Sequence, residues 1–219
     1  MTEVIRVLQE RYFLHRAVWM FAVCCMAGFL MESLESFFSM GYVQNRQGLL
    51  YGPFTPIYGV GALAFLLFRP VLKKRRWPAV FAATALIGAS IEYVWSWAQE
   101  MLFGTIFWDY CHFSLHLNGR VNILFTLCWG TLGVFLLRFV YPPFCRFMEA
   151  LPRRGKGLVT WILILLLLGD ITISVFAFSR QKERLYAVAA SSPVELFLDK
   201  TYPDDWMKER FPHMKLRIN

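Results

Sequence analysis

The sequence predicts an all-α integral membrane protein with about five transmembrane helices. Three observations carry that prediction. Of the 219 residues 57% are apolar and only 17% charged, and the mean hydropathy is +0.44, well above soluble composition. Five apolar runs approach the roughly 20 helical residues needed to cross a ~30 Å hydrocarbon core. Finally, the cations concentrate in alternate connections between those runs. Helices follow because lipid offers no partner for backbone donors and acceptors, which must then pair within the segment. The 21 Phe and 8 Trp exclude disorder and collagen, and five cysteines without a C-x-x-C pair exclude a small disulfide scaffold.

Residues 1–16 carry Glu3, Arg6, Glu10, Arg11 and Arg16, which makes them an amphipathic lead-in to a retained span rather than a cleaved signal. The helical bundle occupies 17–178, with spans at about 17–40, 55–72, 79–103, 121–141 and 158–178. The second run is short and opens with Pro53 and Pro56, so its start is expected to be broken or re-entrant. Residues 179–219 form a C-terminal amphipathic tail. There Ser191 and Ser192 precede Pro193 at a helix start, and Leu196, Phe197 and Leu198 make an apolar patch. The tail is expected on the membrane surface, or as a lid over whatever opens on its side.

Three cations lie in the N-terminal segment, five between spans two and three (Arg69, Lys73, Lys74, Arg75, Arg76) and five in 138–157, against Arg46 alone and Arg120 alone in the other two connections. The positive-inside rule places the N-terminus and the two basic turns in the cytoplasm. Five crossings then put the tail outside, although Arg180, Lys182 and Arg184 pull against that assignment. The net charge of +8 is accounted for by topology and anionic lipid, with no nucleic acid required.

The first and third spans share a pattern. Gly28-x3-Glu32-x3-Ser36 is matched by Gly88-x3-Glu92-x3-Ser96, and steps of four put each trio on one helix face. A polar cluster follows each: Asn45, Arg46 and Gly48, then Asn118, Gly119 and Arg120. Tyr58-Gly59-x-Gly61 and Trp129-Gly130-x-x-Gly133 come next, each ahead of Phe-Leu-Leu at 65–67 and 135–137. We therefore expect two tandem parallel two-helix units, 17–72 and 79–141, related by a pseudo-twofold along the membrane normal. The span at 158–178 is added at one side.

Carboxylates within spans are costly unless paired, solvated or protonated. Glu32 and Glu92 are expected to face a polar cavity opening outward, closed by Arg46, Arg120, Asn45, Asn118 and Asp109, with Tyr58, Trp95 and Trp108 beside them. Arginine suits this setting because its planar fork holds carboxylates with two bonds. The competing structural reading has the acids and arginines only fixing helix register. Asp109, His112 and His116 are too few and too loosely framed for a metal. No metal or cofactor is implied.

These motifs also carry a resemblance. At Gly28-Phe-Leu-Met-Glu32, Asn45-Arg46-x-Gly48, Tyr51-Gly-Pro53-x-x-Pro56-Ile-Tyr58-Gly59-Val-Gly61, Ile91-Glu92-Tyr93, Phe103-Gly104, Trp108-Asp109-Tyr110 and Leu117-Asn118-Gly119-Arg120, the chain resembles the bacterial ABC-transporter permease family of the CmpB type. The tail pieces Tyr202-Pro203-Asp204 and Phe211-Pro212-x-Met214 are similar to it as well. Gln47 departs from a pattern that tends to run straight from Arg to Gly. The resemblance implies a multi-pass protein of the bacterial plasma membrane, labelled a permease without a settled substrate. The chain has no Walker A motif and so no ATPase of its own; its residues neither require nor exclude a separate ATPase subunit, and the partners expected are membrane lipids and a small-molecule solute. Self-association stays open. The function expected is a transporter component, with a membrane enzyme acting on a lipid-linked substrate, or a structural subunit, as alternatives.

Overall fold

The computed structural model describes residues 13–150 and 153–217, so all but the last four residues of the expected lead-in lie outside it. Helix α1 runs Phe13–Met40, α2 Pro56–Leu72, α3 Trp77–Phe103 and α4 Ile123–Phe135. A π-helical turn, Leu136–Val140, joins α4 to α5, Tyr141–Ala150, and α6 spans Arg153–Leu185. The tail holds α7, Pro193–Thr201, and α8, Asp204–Arg210. Four helical stretches are long and apolar enough to cross a membrane: 13–40, 77–103, 123–150 and 157–185; α2, with 17 residues, is shorter.

Local chemistry sets the boundaries. Pro56 at the first turn of α2 and Pro78 at that of α3 sit where an N–H would go unused. Gly104 ends α3 in a left-handed conformation, φ 63°, with its N–H bonded to the Glu100 carbonyl. The Asn122 side chain caps α4 by accepting from Leu124 N, and Ser192 with Glu195 forms a full capping box on α7. The π turn lies directly before Pro142 and Pro143, which cannot donate to the carbonyls four residues back, so the helix widens there.

α3 packs most closely on α4 and α1 on α2, with α2 also lying against α3. Their shared core includes Met20, Phe65, Leu66, Val80, Trp129 and Tyr141. α6 lies against α1 and α3. Its helix continues past the apolar run expected to end near 178, because Arg180 and Arg184 find carboxylates in the tail: Asp199 for both, and Asp204 for Arg184. The tail closes a second core, in which Leu50, Ala177, Phe178, Leu198, Met207 and Phe211 meet. Two short antiparallel ladders lie in segments read as loop or tail and at the start of the span expected at 121–141. Thr105–Ile106 (β1) pairs with Lys215–Leu216 (β4), and His116–Leu117 (β2) with Val121–Asn122 (β3).

Connection 41–55 positions the site. The Thr55 N–H donates to the Cys25 carbonyl, although α1 continues fifteen residues, about 22 Å, beyond Cys25. The chain therefore comes back down alongside the upper part of α1 before α2 begins.

Candidate functional site: an acid and aromatic centre

Glycines set the depth of the centre. Gly28 lies under the Tyr58 ring and Gly88 under the Trp129 indole, so closely that a Cβ at either would overlap the ring. In the same way Phe21 fills the space over Gly59, and Phe81 that over Gly130. Phe21 and Phe81 each stand seven residues before the glycine of their own helix.

One turn above each glycine is an acid. The Tyr58 hydroxyl donates to the Glu32 carboxylate. The Trp129 Nε1–H donates to Glu92 Oε2 at 3.2 Å, and the Tyr110 hydroxyl to Glu92 Oε1 at 2.8 Å. The Tyr58 and Trp129 rings lie 5.5 Å apart, and the two acids are near enough to act on each other electrostatically. Tyr110 arrives from connection 104–122 and stacks on Phe125 at 4.7 Å. Burial, with the Glu92 carboxylate next to it, pushes its hydroxyl well above the ordinary value, so it stays a donor.

Glu92 is buried, with 4% of its surface exposed. Its hydrogen-bond partners are Tyr110 and Trp129, both neutral donors. Glu32 is half-buried and within electrostatic range of Arg46.

The arginines take other partners. Arg120 pairs with Glu100, two turns above Glu92, and bonds Ser96 Oγ at 3.2 Å; Arg217 of the tail joins Glu100 at 3.3 Å. Arg46 is 3.8 Å from Glu35. The Asn45 side chain donates to the Arg210 carbonyl at 3.2 Å, and its own carbonyl meets His213 at 3.0 Å. Burial first, and Arg46 second, push the His213 imidazole down to about 4. Asn118 donates to the Tyr93 hydroxyl and Trp108 to the Arg120 carbonyl. Trp95 and Trp108 pack on the core that contains Tyr58 and Trp129. Asp109 accepts from Cys111 N at 3.0 Å, and its bonds to Cys111 hold its carboxyl below the usual range. His116 Nδ1 accepts from Gly119 N, and the His112 ring lies on Phe113.

Of the ten expected residues, then, Glu32, Tyr58 and Glu92 converge, Trp95 and Trp108 flank them, and Arg46, Arg120, Asn45, Asn118 and Asp109 form an upper layer bonded largely to other groups. Sequence reasoning did not assign Trp129, Tyr110 or Glu100 to the site. Trp129 carried a signal, because it aligns with Tyr58 in the second pattern.

A family model described as "Putative ABC-transporter type IV", of the CmpB type, matches residues 19–175. The chain belongs to this family. Searches of curated proteins and of solved structures gave no match. The CmpB-type segment contains every member of the acid and aromatic centre and ends before the tail. The chain is thus a multi-pass membrane protein of an ABC-transporter-type family.

Proposed function

We propose that the centre built on Glu32 and Glu92 is the solute site of a transporter permease component and takes a small cation. The observation that carries this reading is Glu92: a buried carboxylate satisfied by a phenol and an indole, with no cationic side chain paired to it among the described residues. Such a group either holds a proton or awaits a positive charge. Tyr58, Trp129 and Tyr110 around it offer aromatic faces that favour an organic ammonium group. Connections 41–55 and 104–122, with Arg46, Arg120, Asn45, Asn118, Asp109 and Trp108, form the outer layer through which solute passes.

The same reading treats 17–72 and 79–141 as tandem copies. It is supported by the equivalent placing of Tyr58 on Gly28 and Trp129 on Gly88, and of Phe21 and Phe81 on the next glycines. α2 completes a fifth crossing in the bacterial plasma membrane, the basic turns face the cytoplasm, and energy comes from a separate ATPase subunit.

The test is a thermal-shift screen of the purified chain against alkylammonium compounds and polyamines. A stabilising compound is expected whose effect disappears in both Glu32→Gln and Glu92→Gln while both variants stay folded. A screen without hits, or hits that survive both substitutions, overturns the solute site and favours the reading in which the acids only hold α2 and α4 in place. Those same tight ring and glycine contacts are what support that second reading.

A further inference from the structure

The end of the bundle opposite the tail carries a second polar feature, which the solute site does not use. α2, α3 and the π turn leave a crevice of about 210 Å³, lined by Arg69, Lys73 and Arg138 and by Leu72, Val80 and Leu137. None of its lining residues is acidic. Arg69 lies with its guanidinium 4.7 Å from the centre of the Tyr141 ring, and its Nε is buried without a hydrogen-bond partner among the described residues. Arg138 is fixed at one side by its bond to the Arg75 carbonyl at 2.6 Å. Three cations are thereby brought to one opening, and among the described residues no carboxylate lines it.

The surroundings select what fits. Phe68, Val71, Trp77 and Phe139 belong to the same elements, and all are at least 45% exposed. An apolar surface therefore flanks a basic crevice. A free anion would use only the crevice, whereas an amphipathic anion uses both surfaces.

We infer that this crevice binds the phosphate of an anionic phospholipid headgroup, with the acyl chains along the exposed Phe68, Val71 and Phe139 side chains. Arg69 and Arg138 supply directional N–H donors to the phosphate oxygens, and Lys73 a mobile charge at the mouth. The inference holds whichever face of the membrane this end occupies, and it does not depend on the solute site.

The experiment is native mass spectrometry of the full chain, released from detergent micelles that hold equal amounts of phosphatidylglycerol and phosphatidylcholine with identical chains. Wild type is expected to retain phosphatidylglycerol preferentially. Each cation removed is expected to lower that retention roughly fivefold, so Lys73→Gln, an exposed position, shows one step and the Lys73→Gln/Arg138→Gln double variant about two. Arg75→Gln/Arg76→Gln, outside the crevice, leaves retention unchanged. Inorganic phosphate at millimolar concentration does not displace the lipid; displacement would assign the crevice to the free ion instead. Equal retention of the two lipids by wild type overturns the inference, as does a double variant that keeps phosphatidylglycerol as well as wild type, or an equal loss in the Arg75/Arg76 control.

Discussion

Single residues decide how closely the acid-bearing helices approach their partners. A methyl group at Gly88 would overlap Trp129 at its Cβ and Cγ, atoms tied to the α4 backbone, so α4 itself would have to move. Gly88→Ala is therefore expected to cost about 1–3 kcal/mol from overpacking and to weaken the Trp129 bond to Glu92. Gly169 in α6 is the comparison, since a Cβ there meets nothing within 4 Å. Gly169→Ala removes only chain flexibility and should stabilise by up to about 1 kcal/mol. Thermal unfolding in detergent, followed by tryptophan fluorescence, checks the pair; a similar change in both would refute the packing argument. The Gly-x3-Glu-x3-Ser trios were legible because a four-residue step defines a helix face without reference to anything else. The donors were not, because which ring reaches Glu92 depends on where α4 begins and on an 18-residue return through connection 104–122 to Tyr110. Nor was the partner of Arg120 legible, for a related reason: Glu100 lies on the same helix as Glu92, two turns nearer the loop.

At the scale of elements, connection 41–55 replaces helix by side-chain bonding. Part of its backbone is satisfied by α6 and the tail. Leu50 N donates to Ser174 Oγ at 2.9 Å, Tyr51 N to Asp170 Oδ1 at 3.0 Å, and Arg210 Nε to the Leu50 carbonyl at 3.0 Å. The Gln47 side chain bonds the Leu49 carbonyl at 2.9 Å, which gives a physical role to the residue that departs from the family pattern. Asp170 is thus a backbone acceptor for a non-helical segment. Asp170→Leu should leave the Tyr51 N–H unsatisfied at about 1–3 kcal/mol, and Ser174→Ala should do the same for Leu50. Asp170→Asn keeps an acceptor and should be milder. Amide hydrogen exchange over 48–55 measures it: faster exchange in the first two variants and near-native exchange in the third is the expected order. Pro53 and Pro56 made the broken start of α2 readable in advance. The depth to which the connection returns was not, because it is fixed by contacts with residues more than 115 positions away in the sequence.

For the whole molecule, the tail and both site connections share one end. Asp199 and Asp204 meet Arg180 and Arg184, β4 adds to β1, and Arg217 reaches Glu100. Arg180 and Arg184, two of the charges on α6 that argued against an external tail, are thereby paired within the protein, which leaves the asymmetry to the basic turns at the other end. The orientation we propose then turns on one accessible probe already in the chain. Cys111 is an exposed free thiol in connection 104–122, on the tail side. Its hydrogen bond with Asp109 raises its pKa, so labelling needs mildly alkaline buffer to populate the thiolate. Cys128 is also exposed, but on α4, where lipid shields it from a charged reagent. A membrane-impermeant maleimide should modify Cys111 in intact cells at pH 8, and Cys111→Ala should abolish the signal. Labelling confined to inverted vesicles would reverse the bundle, place the site connections and tail in the cytoplasm, and turn the basic turns outward.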